Sequence, residues 1–443
     1  MKKLVFYSLA LTVLMMSLWG CREDPVTGDE DPVISKETLA TNKWIKDNMT
    51  DLYFWNDKIP AGLDYTKEPD PEAYFYKFIY KDMDKWSNIT DDYPALSAEL
   101  DGEPVTMGYR PSFFLISNNK VMIVVSYVYP GSPAAEAGLK RGDIILSIDN
   151  TQLDTSNYYD LYSGKIYSVQ LGRLEGNTLM LTGQSLSLTA RVTSTDPVIH
   201  HSVIDVDGHK IGYIVYVEFI TGESDGFLLE LDNIFNEFRT AGISDLVIDL
   251  RYNPGGEITA AVHLASLIVP YTIASNKDIL ITLKYNSGLQ EFFNSDPGKY
   301  ANYLSYKFKT TSANLDMDRV YFLTTSGTAS ASELVITGLD PYMDVVKIGE
   351  STYGKYAGAW VIPDDNEKWA IIPIVSNYAN ADGYTDFVNG LAPDYEIDDN
   401  LITAVEFGDT SDPLLAKAIE LATGKSPAPK SLRRTEKIGR AHV

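Results

Sequence analysis

Apolar positions along this chain change their period twice, and each change marks a different kind of element. In "TNKWIKDNMTDLYFW", Ile45, Met49 and Leu52 recur at helical spacing. This predicts a helix with one buried face. "DPEAYFYKFIYKDMDKW" opens with Asp70 in the N-cap position and Pro71 at the first helical position, then repeats Phe75, Ile79, Met83 and Trp86. It predicts a second helix with an aromatic stripe turned to a core. Together these define a small helical N-terminal domain, residues 36–95. From about 103 to 195 the pattern becomes short β-rich runs such as "NKVMIVVSYV". Beyond about 200, strand and helix alternate: "KIGYIVYV", then "FLLELDNIFNEF" with Phe227, Leu231, Ile234 and Phe238 on one face, then "DLVIDLR", "EITAAVHLASLIV", "RVYFLTT", a helix over 330–338, and "DVVKIGE". Such alternation predicts parallel crossovers in an α/β domain over 200–425. There are no tandem repeats.

The 443 residues leave room for two or three domains, and 44% hydrophobic residues is an ordinary share for globular cores. A formal charge of −24 argues against a nucleic-acid partner, which needs a basic patch. The 29 tyrosines fit half-buried sheet positions better than a peptide- or glycan-contacting surface. The single cysteine, Cys21, closes "MKKLVFYSLALTVLMMSLWGC", a basic start and an apolar run of secretory-signal length. The ending "LWGC" resembles a bacterial lipobox, in which the cysteine becomes the lipidated first residue; the alternative is a plain signal peptide with a chance cysteine. Residues 1–21 are thus read as a lipoprotein signal peptide and 22–35, acidic and containing Pro and Gly, as a flexible tether. Arg22-Glu23-Asp24 resembles the charged export tag of Bacteroidota surface lipoproteins. The expected place is the bacterial cell envelope, at the outer membrane, with the lipid as the only membrane attachment. "IGRAHV", residues 438–443, resembles a translated sequencing adapter and is left out of the fold reading.

"GSPAAEAGLKRGDIILSIDNTQL", residues 131–153, packs a short helix at Ala134 to Ala137, a left-handed stop at Gly138, a turn at Arg141-Gly142-Asp143, the strand Ile144–Ile148 and a further turn at Asp149-Asn150. This piece resembles PDZ domains of bacterial proteases. Such domains add a peptide C-terminus as a strand and hold its carboxylate on backbone N–H groups. Gly108 and Tyr109 form the candidate carboxylate loop; a tight turn without a ligand is the other reading.

Three motifs sit at strand exits of the α/β domain. The first is Asp249-Leu250-Arg251-Tyr252-Asn253-Pro254-Gly255-Gly256. Paired glycines before a helix expose N–H groups and suit an oxyanion hole, although taken alone they read first as a bare tight turn. The second is "GTASASELVITG", residues 327–338, where Ser330 and Glu333 fit a capping box. The third is "GESTYGK", ending at Lys355, 25 residues after Ser330. A serine needs a base to become a nucleophile, and a lysine serves if burial keeps it neutral. Taken singly, Lys355 reads as a surface residue.

In this order the motifs, with "NGLAPDYEID" and the PDZ-like piece, resemble the S41 peptidases, the C-terminal processing or tail-specific proteases. The resemblance covers about residues 103–425. Behind the helical N-terminal domain it implies two parts: a β-rich PDZ-like domain over 103–195 and a ClpP/crotonase-like α/β protease domain over 200–425. It implies Ser330 as nucleophile, Lys355 as general base, and the N–H groups of Ala331 and of Gly255 or Gly256 as the oxyanion hole. Substrates would be peptides or proteins, met through free C-termini, without cofactor or metal. Two positions depart from the family. Several members carry glutamine four residues after the lysine, where this chain has Ala359, and Tyr356 stands in place of a usual glycine. A catalytically weak or inactive peptide-binding lipoprotein of the same fold is therefore the rival reading. Histidine chemistry is not expected: His263 falls on an apolar helix face and reads as core, and His200, His201 and His209 lie near a domain junction.

Overall fold

The computed structural model of the chain describes residues 34–176 and 178–425, so Cys21 and the C-terminal hexapeptide lie outside the described residues. The chain divides into two compact units.

The first unit joins residues 34–96 with Thr282–Tyr306 and Ala357–Ala379. Helix α1, Lys36–Leu52, starts where Ser35 accepts the Thr38 N–H at 3.0 Å and buries Ile45 and Met49. Helix α2 is Pro71–Phe75, with Asp70 accepting the N–H of Glu72 at 2.9 Å and of Ala73 at 3.3 Å. The aromatic pattern predicts a helix running on to Trp86, but the chain leaves it after Phe75. The N–H groups of Lys77 and Phe78 bond three residues back, to the Tyr74 and Phe75 carbonyls at 3.1 and 3.0 Å, and further on the buried Tyr53 hydroxyl accepts the Tyr80 N–H at 3.0 Å and donates to Asp84 at 2.8 Å, which claims a donor a longer helix would use internally. The stripe splits accordingly, with Phe75 and Trp86 buried and Met83 38% exposed. The core of this unit is completed from far along the chain. Strand Ala370–Ile372 pairs with Asn88–Thr90, and Ile371 joins Ile45, Met49, Tyr74 and Phe75.

The second unit contains Ser97–Ile281, Lys307–Tyr356 and residues 380–425. Its first sheet is antiparallel, with β1 Tyr109–Leu115, β2 Val121–Val128, β3 Ile144–Ile148, β4 Ile166–Glu175 and β5 Thr178–Thr189 side by side in that order. Helix α3, Pro133–Glu136, is capped by Ser132 and stops before Gly138, whose φ of 85° is open to glycine at no steric cost. Helix α4 is Tyr158–Tyr162. Strand β2 is apolar without alternation because both of its faces are covered. Val121, Ile123 and Val125 enter this domain's own core with Leu139, Ile145 and Val169. Met122, Val124 and Tyr127 enter a second cluster with Ile211, Tyr213 and Val215 of the next domain.

That domain is a six-stranded sheet. Strand β6, Val198–Val206, is antiparallel to β7, His209–Tyr216. Strands β8 Asp245–Asp249, β9 Arg319–Thr324, β10 Asp344–Gly349 and β11 Tyr395–Glu396 then follow β7 in parallel. Helices α5 Gly226–Ala241, α6 Ile258–Ile268, α7 Ala331–Leu339 and α8 Pro413–Thr423 accompany them. Adjacent parallel strands end on one side, so the segments leaving β8, β9 and β10 converge there. His263 is only half-buried and faces Asp232 at 2.9 Å, so it is not the core residue its helix face implied. His209 pairs with Asp245 at 2.6 Å. Among the described residues no helix is long and apolar enough to cross a membrane.

Candidate active site

Ser330 stands at the N-cap of α7, just past β9, and is 4% exposed. Its backbone has φ 56° and ψ −110°, a conformation that L-residues rarely adopt. Strain of this kind persists only where the surroundings over-determine it. Here they do. The Thr328 hydroxyl donates to the Leu250 carbonyl at 2.8 Å, and the Thr325 hydroxyl donates to that of Arg251. The Ala329 N–H and the Ser332 hydroxyl both donate to the Asn253 carbonyl, at 3.0 and 3.1 Å. The turn before Ser330 is thereby stitched to the segment leaving β8.

That segment brings the paired glycines against the serine. A Cβ on Gly255 would lie 2.7 Å from Ser330 Cβ and 2.9 Å from the Ala331 nitrogen, and Gly255 has φ 109°. A Cβ on Gly256, at φ 137°, would lie 2.1 Å from the Phe219 carbonyl oxygen. Both positions therefore exclude side chains for steric reasons as well as backbone ones. The Gly255 N–H is donated to Asn253 Oδ1 at 2.9 Å. For the N–H groups of Gly256 and Ala331 no acceptor is found among the described residues.

Lys355 follows β10 and is 1% exposed. The surface reading of this lysine does not hold. Its backbone is held by Glu333, whose carboxylate is fully buried: Oε2 accepts the N–H of Ser330 and of Lys355, each at 2.8 Å, while Oε1 accepts the Gly354 N–H at 2.6 Å and the Thr352 hydroxyl at 2.5 Å. Two nitrogens bonded to one oxygen lie no further apart than twice that distance. Burial raises the Glu333 carboxyl above its usual range, and the four donors oppose that shift. The sequence pattern identified Glu333 as a helix cap; that the same carboxylate also holds the lysine segment was not legible from an S-x-x-E spacing.

Tyr356 is buried with its ring edge-on to Phe387, centroids 5.6 Å apart. Ala359 lies in strand Ala357–Ala359 of the other unit, paired with Ile374. Gly108, at φ 79°, forms the expected turn, but its N–H is taken by Thr106 Oγ1 at 3.1 Å and its carbonyl by Ser132 Oγ at 3.1 Å. The Tyr109 ring is buried, with its hydroxyl 3.0 Å from that of Tyr167. Neither the Gly108 N–H nor the Tyr109 side chain is offered to a ligand. No cluster of His, Cys, Asp and Glu that could hold a metal occurs among the described residues.

Behind the glycine loop lies a network the sequence did not announce. Arg251, 1% exposed, bonds Asp249 (2.6 Å), Asp399 (3.0 Å) and Asp412 (2.9 Å), and the Tyr252 hydroxyl donates to Asp399 at 2.6 Å. The three carboxylates come from a strand end, a loop and a helix N-cap, so only tertiary structure assembles them.

A parallel sheet with a strained serine, paired glycines and a buried lysine at adjacent strand exits, preceded by a PDZ-type sheet, defines a serine-peptidase type of architecture. Residues 210–397 match Peptidase family S41, residues 40–88 its N-terminal domain, and residues 124–165 a PDZ domain. The chain belongs to peptidase family S41. It is 27% identical over 301 residues to a carboxyl-terminal-processing protease of Synechocystis sp., covering 66% of this chain and 63% of that one. It is 26% identical to the carboxy-terminal processing protease CtpA of Bacillus subtilis, covering 53% and 44%. The chain thus spans less than two thirds of the length of these relatives. Among solved structures, a putative S41 protease from Bacteroides fragilis superposes with a TM-score of 0.71 at 28% identity, covering 86% of this chain and 97% of that one.

Proposed function

We propose that the chain is a serine endopeptidase of the C-terminal-processing type, working with a Ser330/Lys355 dyad. The observation that carries this reading is the single carboxylate oxygen of Glu333 on which the backbones of both residues meet. Ser330 Oγ attacks the scissile carbonyl and Lys355 Nζ takes its proton. The oxyanion is assigned to the N–H groups of Ala331 and Gly256, because the Gly255 N–H is already given to Asn253. One such donor contributes about 2.7–4 kcal/mol to the transition state. The lysine returns the proton to the leaving amine, and water then cleaves the acyl-enzyme by the same route. A substrate C-terminus entering beside β1 is the proposed recognition step, and a lipid anchor on Cys21 at the outer membrane the proposed location.

The rival reading, a peptide-binding protein with weak or no catalysis, is favoured by one position: Ala359 offers no side-chain hydrogen bond where several relatives have glutamine. A fluorophosphonate probe on the purified protein separates the two. Labelling of the wild type and not of Ser330→Ala supports the peptidase; an unlabelled, folded wild type supports the binding protein.

A further inference from the structure

The PDZ-type domain sends one buried cation into the α/β domain. Arg141 lies in the "GLKRGD" turn ahead of β3, and its side chain is 3% exposed. Nη1 donates to the Ser126 carbonyl on β2 at 2.6 Å, within its own domain. Nε crosses to the Val405 carbonyl at 3.1 Å. The guanidinium lies over the rings of Phe407 and Tyr252, 4.3 and 5.1 Å from their centroids. Nη2 has no hydrogen-bond partner and stands 3.9 Å from Asp399 Oδ1.

Asp399 is the carboxylate that also takes Arg251 Nη1 at 3.0 Å and the Tyr252 hydroxyl at 2.6 Å. Arg251 and Tyr252 directly precede Asn253. Asn253 in turn accepts the Gly255 N–H and the donors from Ala329 and Ser332 on either side of Ser330. A 3.9 Å charge contact from Arg141 to Asp399, the bonds from Asp399 to Arg251 and Tyr252, and the chain segment Arg251–Asn253 therefore connect the PDZ-type domain to the backbone around the serine. A lysine is not an equivalent of Arg141, because its ammonium is a point charge without the planar, spaced donor fork that reaches the Ser126 and Val405 carbonyls from beside two rings.

From this geometry we infer that Arg141 is a positioning residue: by engaging the rings and the carboxylate that hold Arg251 and Tyr252, it sets the glycine loop against Ser330. This rests on Ser330 being the nucleophile. The role differs from simple domain docking, which the apolar cluster of Met122, Val124 and Tyr127 with Ile211 and Val215 already provides.

The test uses the full mature chain and a fluorophosphonate small enough to need no contact with the PDZ-type domain. In Arg141→Ala and Arg141→Lys, measured well below their melting temperatures, the labelling rate of Ser330 should fall about tenfold. Tyr252→Phe, which removes the hydroxyl bonded to Asp399, should give a similar fall. The combination Arg141→Ala with Tyr252→Phe should be no slower than the slower single variant, since both act through Asp399. Wild-type labelling in all three single variants would overturn the inference, as would independent, multiplying losses in the pair. If Arg141→Ala does not fold, Arg141→Lys and Tyr252→Phe decide the matter. Labelling that persists in Ser330→Ala would instead sink the Ser330 assignment itself, whatever the Arg141 variants do.

Discussion

Glu333 Oε2 accepts the backbone N–H of Lys355 at 2.8 Å, and the same atom accepts that of Ser330. Its other oxygen takes the Gly354 N–H and the Thr352 hydroxyl. All four partners are donors. An amide at this position turns an NH2 group toward two of them whichever way it faces. Bonds to a charged acceptor are worth about 1.5–3 kcal/mol each. Glu333→Gln should therefore lower the melting temperature and cut the acylation rate about a hundredfold, with KM near the wild-type value. Single-turnover kinetics on a peptide substrate checks this; an unchanged acylation rate would reduce Glu333 to a helix cap.

Ser330→Ala and Lys355→Ala should each lower peptide hydrolysis by more than about a thousandfold while leaving the circular dichroism spectrum intact. Comparable turnover in either purified variant would remove the dyad.

Gly255→Ala places a Cβ within 2.7 Å of Ser330 Cβ at a φ of 109°. The strain arises at residue 255 and the collision falls on Ser330, the proposed nucleophile. Activity should fall at least about a hundredfold, with a loss of stability of a few kcal/mol, read from urea denaturation and hydrolysis together. A fully active Gly255→Ala enzyme would mean that the loop is not packed on the serine.

Glu257 follows the glycines and accepts the Thr221 N–H at 3.0 Å and hydroxyl at 3.2 Å. Burial pushes its carboxyl up to about 7 against those two bonds. A carboxyl raised on folding gives stability that is fully present below its unfolded pKa and is lost as pH rises through the folded value. Glu257→Gln keeps an acceptor for Thr221 and removes the ionisation. Its stability relative to wild type should thus improve between about pH 4.5 and 7, by an amount on the order of 3 kcal/mol at most. Scanning calorimetry at pH 5 and pH 8 reads the difference, and a variant less stable at pH 8 than at pH 5 relative to wild type reverses the sign.

The peptide-binding proposal is best tested on the whole chain. The PDZ-type sheet buries Phe114, Met122, Val124, Ile144 and Leu146 against the neighbouring domain, so residues 103–195 alone would expose an apolar face. A peptide with a free apolar C-terminus should bind the Ser330→Ala protein about tenfold to a hundredfold more tightly than its amide, the loss expected for one charge-assisted bond. Equal affinities by fluorescence anisotropy would leave this domain a structural module.

The anchor is tested by labelling cells with a fatty-acid analogue: the wild type should be marked and Cys21→Ser should not. Labelling that survives the substitution removes the lipoprotein proposal.

What the sequence determined by itself was local and periodic. Alternating strand and helix beyond residue 200 specified a parallel sheet. Small residues around Ser330, paired glycines after β8 and a lysine after β10 marked three strand exits, and Gly138 with Asp149-Asn150 marked turns whose positive φ values the structure shows. These signals depend on neighbours a few residues away, which the chain carries with it. Tertiary structure decided the rest, because the deciding partners are distant. Tyr53 took the Tyr80 N–H that a longer aromatic helix would have used internally. Ile371 closed the core of the N-terminal helices. Thr106 took the N–H that Gly108 would have offered a ligand. Lys355 became buried only when Glu333 gathered its segment to that of Ser330. Arg141, Arg251, Asp399 and Asp412 look like ordinary charged residues in sequence, and they became one buried network because the strand, loop and helix ends that carry them meet out of water. There, each charge is tolerable only beside its partners.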